Sequence, residues 1–373
     1  MIHYSTQLID DDDIEEVVKV LKSPFLTQGK KVQEFEEALC EYTGSQYAIT
    51  FNSATSALHG AYFAAELENG DEVITSPLSF VATSNMLLEV GAKPIWCDIK
   101  ADGNLDEKLI ESLITPKTKA IVPVHFAGKA VNLDKIHQIA KQYQLLVIED
   151  SAHALGSTYN GKKIGALSDM TIFSFHAIKP ITTGEGGAVM TDDAEYASRL
   201  RLFRSHGILK QKLWHSDMIT MGHNYRLTEI AAALGISQLK KIDTFIQKRN
   251  KIAEFYENAF ADETRFTTIK IDTKDISSRH LYPILLNDSL KVYKEKIFQE
   301  LLESKIGVQV HYKPIYKNSF YKEKFGEISL PNAKKFYESE LSIPCHHKMS
   351  LDDAKLVVST IFRIINKPMG TIT

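Results

Sequence analysis

Residues 173–187 read FSFHAIKPITTGEGG and place one lysine, Lys179, in a turn between an apolar run and a group of glycines. The apolar run, residues 170–175, has the composition of a buried strand. A lysine shielded from water just beyond a strand can have a lowered pKa, which makes its amine a usable nucleophile. Nearby glycines let a ligand approach the backbone closely. For a single lysine the ordinary alternative is a solvated surface position, so the stretch needs support from elsewhere in the chain.

The region around this stretch, from about residue 46 to 190, alternates short β-branched runs with helical patterns. That alternation is typical of βαβ units and predicts an α/β fold, a mostly parallel sheet with helices on both faces. The predicted strands are 47–51, 72–75, 94–98, 120–124, 145–149, 170–175 and 188–191, and the predicted helices are 55–67, 81–90, 106–113 and 133–143.

After about residue 225 the pattern changes to one long helical stretch, residues 227–260, in which Gly235 marks a candidate bend. Strand-like and helical runs then alternate less regularly and predict a smaller α+β unit. We therefore expect a large domain over residues 1–245 and a small C-terminal domain over residues 246–373. The predicted elements of the small unit are strands 266–271, 280–286 and 308–311 and helices 292–304 and 351–365.

The composition of the chain disfavours nucleic acids, membranes and metal ions as partners. The 373 residues carry a formal net charge of -3, so no global field draws the chain to nucleic acid or an anionic membrane. No run approaches the roughly 20 apolar residues of a membrane span, and the N-terminus lacks a signal-peptide pattern. The cysteines form no CxxC pair, which favours buried thiols in a reducing compartment over a zinc site or disulfides. We expect a cytoplasmic protein with no metal.

Candidate ligand contacts follow the predicted strands, where open α/β sheets bind their ligands. After the first strand, residues 52–62 (NSATSALHGAY) open a helix whose free backbone N–H groups suit a phosphate. After the second, Phe80 could stack on a planar ligand. After the fifth come Asp150 and His153, and a near-buried carboxylate needs a positive partner such as a protonated pyridine nitrogen.

Each of these features alone has an ordinary reading: a helix cap, a core phenylalanine or a structural ion pair. Taken together, they are what pyridoxal phosphate requires. The cofactor needs a phosphate-binding site, an aromatic side chain that stacks on its ring, an acidic partner for its ring nitrogen and a lysine that forms a Schiff base.

The sequence resembles the sugar aminotransferases of the DegT/DnrJ/EryC1/StrS family, and the resemblance covers essentially the whole chain. It implies the fold type I architecture of aspartate aminotransferase, with a large cofactor-binding domain and a smaller C-terminal α+β domain. The segments that carry it are LTQGKKVQEFEEALCEYTG, NSATSAL, EDSAHALG, FSFHAIKPITTGEGGAV, RSHG, GHNYRL and GVQVHYKPIY.

The resemblance implies roles for individual residues toward pyridoxal 5'-phosphate. Lys179 would hold the cofactor covalently and shuttle protons, Asp150 would pair with the pyridine nitrogen, and His153 would lie near the ring hydroxyl. His153 stands where many relatives carry glutamine, which can make the same hydrogen bond. The other implied contacts are Phe80 on the ring, Ala54, Thr55 and Ser174 on the phosphate, and Asn224 on the phosphate of the neighbouring subunit of a homodimer with shared active sites.

For the substrates, the segments FSFHAIKPITT, LFRSHGILK, SSRHLYPILL and VQVHYKPIY resemble the branch of the family that serves pseudaminic acid synthesis. That branch implies transfer of an amino group from L-glutamate, which leaves 2-oxoglutarate, to C4 of UDP-4-keto-6-deoxy-N-acetyl-β-L-altrosamine, with pyridoxamine phosphate formed during turnover. The product would feed a sugar that decorates surface proteins such as flagellin. The implied substrate-cleft residues are Tyr4, Pro24, Phe25, Leu26, Thr27, Gln309, Val310, His311 and Tyr312.

Several alternatives stay open at this point. The substrate could be another keto-sugar, with a C3 ketone or a GDP group. A pyridoxamine-dependent sugar dehydratase is disfavoured because those relatives carry histidine in place of the lysine. A cofactor-binding regulator is disfavoured because the chain begins almost directly with the family motifs and leaves no room for a DNA-binding module. Arg226 is a candidate for the donor carboxylate, with a structural ion pair equally open.

Overall fold

The computed structural model describes residues 1–212 and 214–367. The helices are α1 (Asp11–Leu21), α2 (Lys31–Thr43), α3 (Ala54–Ala64), α4 (Ala82–Glu89), α5 (Ile110–Leu113), α6 (Leu133–Tyr143), α7 (Ala194–Arg204), α8 (Glu229–Leu239), α9 (Ile242–Ala259), α10 (Asp288–Lys291), α11 (Lys294–Glu303), α12 (Ser319–Phe325), α13 (Pro331–Ser339) and α14 (Leu351–Ile365). The strands are β1 (Tyr47–Phe51), β2 (Glu72–Thr75), β3 (Lys93–Trp96), β4 (Thr118–Val122), β5 (Leu146–Asp150), β6 (Thr158–Tyr159), β7 (Lys162–Lys163), β8 (Met170–Ser174), β9 (Gly187–Thr191), β10 (Ile208–Lys212), β11 (His215–Met218), β12 (Phe266–Thr268), β13 (Tyr282–Leu286) and β14 (Glu340–Ile343).

A seven-stranded sheet forms the centre of the large unit, in the order β1-β9-β8-β5-β4-β2-β3. The pairs from β8 through β5, β4 and β2 to β3 are parallel, while β9 is antiparallel to both β8 and β1. Six of these strands therefore run the same way. The predicted mostly parallel mixed sheet is confirmed.

The composition of the strands explains why helices cover both faces of this sheet. Successive residues of a strand face opposite sides, and both sides here are apolar. Ile172 of β8 packs in a hydrophobic cluster on one face with Ile49 and Val73. Its neighbour Phe173 packs in a second cluster on the other face with Ile74.

The direction of the strands also brings the loops that follow β1, β5 and β8 to one edge of the sheet. The carboxyl ends of β1, β5 and β8 meet at one edge of the sheet, and the antiparallel β9 begins at that same edge with Gly187. The chain segments that follow Phe51, Asp150 and Ser174 are thus brought side by side. This edge is where an open α/β sheet binds its ligands.

The C-terminal part of the chain builds a second unit around the antiparallel sheet β12-β13-β14. Its hydrophobic cluster runs from Ile252 on α9 to Ile365 on α14. The preceding residues of α9, Ile242 and Ile246, belong instead to a cluster of the large unit. We propose that the boundary between the two domains falls within α9, near residue 245. In the described part of the chain, no helix is both long and apolar enough to cross a lipid bilayer.

Four details of the sequence prediction were wrong. The strand predicted over residues 266–271 ends at Thr268, as β12. The stretch 227–260 forms two helices, α8 and α9, which separate at Lys240 and Lys241, and Gly235 lies inside α8. Residues 308–311 form no strand, only a single bridge between Gln309 and Ser342. The predicted helix 106–113 is reduced to α5, Ile110–Leu113.

Gly235 owes its place to packing rather than to a bend. A Cβ atom at this position would lie 2.6 Å from the ring of Phe35, a residue of the buried face of α2. That distance is shorter than packed carbon atoms allow. The glycine therefore lets α2 and α8 approach closely.

We expect Gly235→Ala to lower the free energy of unfolding by about 1–2 kcal/mol, because an overpacking cost of up to about 3 kcal/mol is only partly offset by the ~1 kcal/mol that alanine contributes to a helix interior. Urea denaturation followed by circular dichroism measures the change. Adding Phe35→Leu removes the ring edge, so the double variant should lose less than the sum of the two single losses. A Gly235→Ala protein as stable as the parent would show that the helices are not in tight contact.

Candidate active site

A cavity of about 450 Å³ lies at the sheet edge described above. It collects residues from the ends of β1, β5 and β8 and from the C-terminal unit. Among the residues predicted from the sequence, those that line it are Tyr4, Ala54, Thr55, Phe80, Asp150, His153, Ser174, Lys179, His311 and Tyr312.

Lys179 lies in the turn between β8 and β9, where its backbone N–H donates to the carbonyl of His176 at 2.9 Å. Desolvation lowers the pKa of its ammonium to about 8, aided by the buried guanidinium of Arg249 and opposed by the negative charge of Asp150. Its Nζ is 3.4 Å from Nε2 of His280. About half of the lysine is therefore a free amine near pH 8, and a nucleophile or base must be in this form to react.

Asp150 is the last residue of β5 and is buried. One carboxylate oxygen accepts a hydrogen bond from Thr83 Oγ1 at 2.6 Å, and the other accepts from the backbone N–H of Ala152 at 3.2 Å. These bonds orient the carboxylate within the cavity wall. A carboxylate held in this way can stabilise a protonated ring nitrogen.

His153 is buried and neutral. Desolvation, followed by the charges of Lys179 and His311, lowers its pKa well below the ordinary value. Its Nδ1 accepts from the backbone N–H of Ala127 at 3.3 Å, so the ring proton is on Nε2, which lies 3.1 Å from the hydroxyl of Tyr312. The histidine thus has a fixed tautomer and one donor.

The amino end of α3 offers a candidate anion site. Ser53 caps this helix by accepting from the backbone N–H of Ser56, and the N–H groups of Ala54 and Thr55 in the first turn have no acceptor within the helix. Gly187 of β9 passes directly behind them, since a Cβ atom there would lie 2.6 Å from the nitrogen of Ala54. These donors, together with the dipole of an 11-residue helix, suit a phosphate group.

The residues present fit pyridoxal phosphate. Donors for a phosphate lie at the end of β1, the carboxylate of Asp150 lies at the end of β5, and Lys179 stands in the same cavity. Phe80 also lines the cavity and keeps 60% of its surface exposed, which leaves an apolar ring free to stack on the cofactor. No three of the histidine, cysteine, aspartate or glutamate residues described by the structure are grouped to hold a metal ion.

The structure does not bring every predicted residue into this cavity. The segment 24–27 (Pro24, Phe25, Leu26 and Thr27) is exposed, as are Gln309 and Asn224, and Val310 is half-buried. None of these residues lines the cavity of the protomer. Arg226 lines a different cavity, of about 640 Å³, beside Arg201 and Arg204. The roles of these residues toward substrate remain predictions.

The sequence reasoning missed several residues that line this cavity. His280 faces Lys179, Thr83 holds Asp150, and Glu185 lies at the cavity with its carboxylate 3.9 Å from the ring of His176. Thr83 lies one helical turn after Phe80, so the spacing could have indicated it. His280 comes from the C-terminal unit, and only the tertiary fold brings it to Lys179.

We expect Lys179 to react with added pyridoxal phosphate at a rate that rises with pH through about 8, because above its lowered pKa the amine is free. An ordinary lysine would show the rise near pH 10.4. Asp150→Asn removes the charge that raises the pKa of Lys179, so the rise should move to lower pH. Stopped-flow absorbance of the apoenzyme measures both profiles, with Lys179→Ala as the unreactive control. A rise centred near pH 10 would contradict the assignment.

Comparison with known sequences agrees with this geometry. The model of the DegT/DnrJ/EryC1/StrS aminotransferase family matches residues 7–362 of the chain. The chain is 53% identical over 370 residues to a UDP-4-amino-4,6-dideoxy-N-acetyl-beta-L-altrosamine transaminase of Campylobacter jejuni, with 98% of each chain covered.

Solved structures give the same result. Helicobacter pylori PseC, described as an aminotransferase involved in the biosynthesis of pseudoaminic acid, superposes with a TM-score of 0.95 at 45% identity, covering 97% of this chain and 98% of that one. A sugar aminotransferase of Streptococcus pneumoniae in its PMP-form superposes with a TM-score of 0.94 at 33% identity, covering 98% and 99%. The fold, the cavity and the sequence agree that this chain belongs to the DegT/DnrJ/EryC1/StrS aminotransferase family.

Proposed function

We propose that the protein transfers an amino group from L-glutamate to C4 of UDP-4-keto-6-deoxy-N-acetyl-β-L-altrosamine in pseudaminic acid biosynthesis. The observation that carries the aminotransferase chemistry is a lysine with a lowered pKa in the same cavity as a fixed carboxylate and a phosphate site. The relatives named above support the choice of sugar. Pyridoxal phosphate is the cofactor, as in the PLP-form of the S. pneumoniae structure.

Each residue of the cavity would contact a different part of the cofactor, according to its position. The bound cofactor supplies an electron sink for the carbanion left when a substrate C–H bond breaks. Asp150 would hold the ring nitrogen protonated, and the N–H groups of Ala54 and Thr55, with Ser174, would hold the phosphate. Phe80 would cover one face of the ring and His153 would donate from Nε2 to the ring oxygen.

Lys179 Nζ would move the protons. As a free amine it removes the α-proton of the donor and returns a proton on the other side of the same C–N bond, and the sugar half-reaction uses these moves in reverse. One base that reaches both carbon atoms serves both half-reactions in a ping-pong sequence. The presence of this lysine disfavours the dehydratase alternative.

The nucleotide sugar would bind at the mouth of the cavity. Tyr4, His311 and Tyr312 line the cavity, and the rings of Tyr4 and His311 are 5.6 Å apart. We assign the segments 24–27 and 309–310 to the outer part of the same binding surface, where exposed side chains could contact the nucleotide. An aminotransferase for another nucleotide-linked keto-sugar is the second candidate.

We further propose a homodimer in which Asn224 completes the cavity of the partner. Asn224 follows the hairpin β10-β11, which carries exposed apolar side chains of the kind that a subunit interface buries. Trp214 is 80% exposed at this hairpin. The other exposed apolar residues there are Ile208, Leu209, Met218, Ile219 and Met221. In this proposal the enzyme is cytoplasmic, and its product is used to modify surface proteins such as flagellin.

The first test of the function is spectroscopic. We expect L-glutamate to bleach the visible band of the lysine-bound cofactor, and UDP-4-keto-6-deoxy-N-acetyl-β-L-altrosamine to restore it. A GDP-linked or C3-keto sugar should restore it at least about tenfold more slowly, as expected when buried polar groups lose their partners. Lys179→Ala should show neither change. Faster recovery with one of the other sugars would favour the second candidate.

The shared site can be tested by mixing inactive variants. Lys179→Ala and Asn224→Ala, each inactive alone, should regain about a quarter of the parent activity after subunit exchange, because half the dimers are mixed and each has one intact site. The matched control mixes Lys179→Ala with Asp150→Ala, two residues of one protomer's cavity, and should restore nothing. No recovery in the first mixture would remove Asn224 from the partner's site.

A further inference from the structure

His311 lines the active-site cavity as a neutral ring. Burial, followed by the charge of Lys179, lowers its pKa to about 3, so the imidazole carries one N–H at any working pH. That proton resides on either Nδ1 or Nε2. Nδ1 lies 2.8 Å from Ser342 Oγ, whereas no hydrogen bond joins Nε2 to another residue in the described part of the chain. The choice of nitrogen therefore decides whether Nε2 is a donor or an acceptor toward a ligand.

Ser342 connects His311 to a buried carboxyl group. Its hydroxyl oxygen lies 2.5 Å from Oε1 of Glu340 and 2.8 Å from Nδ1 of His311. The other oxygen of Glu340, Oε2, accepts from the backbone N–H of His311 at 2.7 Å. Because a hydroxyl group has a single proton, Ser342 donates to one neighbour and accepts from the other. Glu340, Ser342 and His311 form a relay with two possible directions.

The protonation state of Glu340 selects the direction. When the carboxyl group is neutral, it donates to Ser342, Ser342 donates to Nδ1 of His311, and the ring proton is on Nε2. When it is ionised, it accepts from Ser342, Ser342 accepts from Nδ1–H, and Nε2 is left as an acceptor. One proton passes to solvent in the change, the hydroxyl of Ser342 turns round, and the ring exchanges one N–H for the other.

Burial brings the pKa of Glu340, at which this change occurs, close to neutral pH. Desolvation raises the pKa of Glu340 to about 8, against the hydrogen bonds from Ser342 and the His311 backbone and the charge of Lys294 on α11. Tyr312 also faces this carboxylate and stays protonated, since burial raises its own pKa. A raised carboxyl pKa favours the neutral form below that value. Nε2 of His311 is then a donor at neutral pH and an acceptor above about pH 8.

We propose that Glu340, acting through Ser342, decides which ring nitrogen of His311 carries the proton, and so presents the nucleotide sugar with a hydrogen-bond donor when Glu340 is neutral. This inference rests on the proposed function, because it needs a sugar nucleotide at the mouth of the cavity. The group that fits the donor is an acceptor oxygen, of a phosphate or a carbonyl group. Glu340 and Ser342 are positioning residues, and His311 is the residue that contacts the ligand.

The relay itself is tested without any sugar. Nitrogen-15 NMR of the histidine-labelled holoenzyme, with the His311 signals identified by their loss in His311→Gln, should show Nε2–H at neutral pH and Nδ1–H about two pH units higher, on either side of the Glu340 pKa. In Glu340→Gln the amide N–H always donates to Ser342, so Nε2–H should persist at both values. A tautomer that never changes in the parent, or still changes in Glu340→Gln, overturns the proposal.

The consequence is tested with the sugar half-reaction. The kcat/KM for the UDP-linked keto-sugar in the parent, divided by the same constant in Glu340→Gln, cancels the titration of Lys179, which the two enzymes share. This ratio should fall about tenfold over the same pH interval, whereas the ratio of Ser342→Ala, which breaks the relay without changing Glu340, to Glu340→Gln should stay level. A level ratio for the parent, or an equal fall for Ser342→Ala, overturns the proposal. If glutamate reacts and the tautomer changes, but the sugar never restores the band, the substrate assignment fails and the relay stands.

Discussion

The desolvation of Lys179 is the interaction on which the rest of the active site depends. An amine in the cavity would lose most of its charge if burial acted alone, and an amine in water would keep it at every physiological pH. Asp150 opposes the desolvation and Arg249 adds to it, so the balance leaves a pKa of about 8. In the proposed complex the same carboxylate pairs with the ring nitrogen of the cofactor. The Asp150 carboxylate thus affects both the pKa of Lys179 and the ring nitrogen, and the hydrogen bond from Thr83 holds it in position for both roles.

The direction of the strands makes that balance possible. Asp150 and Lys179 lie 29 residues apart in the chain, and they share a cavity because β5 and β8 are parallel neighbours that end at the same edge. The antiparallel strand β9 packs against the start of α3, where Gly187 leaves room for the first turn of the helix. A side chain at Gly187 would push the N–H groups of Ala54 and Thr55 out of line, so the anion site depends on the sheet as much as on the helix.

Much of the cofactor side of this site could be predicted from sequence, because Asp150 ends one strand, Lys179 follows another, and the composition of both strands is unambiguous. The break at Lys240 could not, since helix-forming residues continue on both sides of it. Residues 308–311 have the composition of a strand, but Ser342 bridges only Gln309, and composition does not reveal the partner. The sequence did not predict His280, Ser342 and Glu340, because their roles arise from contacts between distant parts of the chain. The segment 24–27 lies outside the cavity of the protomer.

Phe80 keeps most of its ring exposed at the cavity, and a folded chain gains nothing from an apolar surface left in water. In the proposed complex the cofactor covers this ring and recovers that free energy, and it does so only in the native state. By mass action, cofactor loading then adds directly to the thermal stability of the fold. The protein without its cofactor would therefore unfold at a lower temperature than the loaded enzyme.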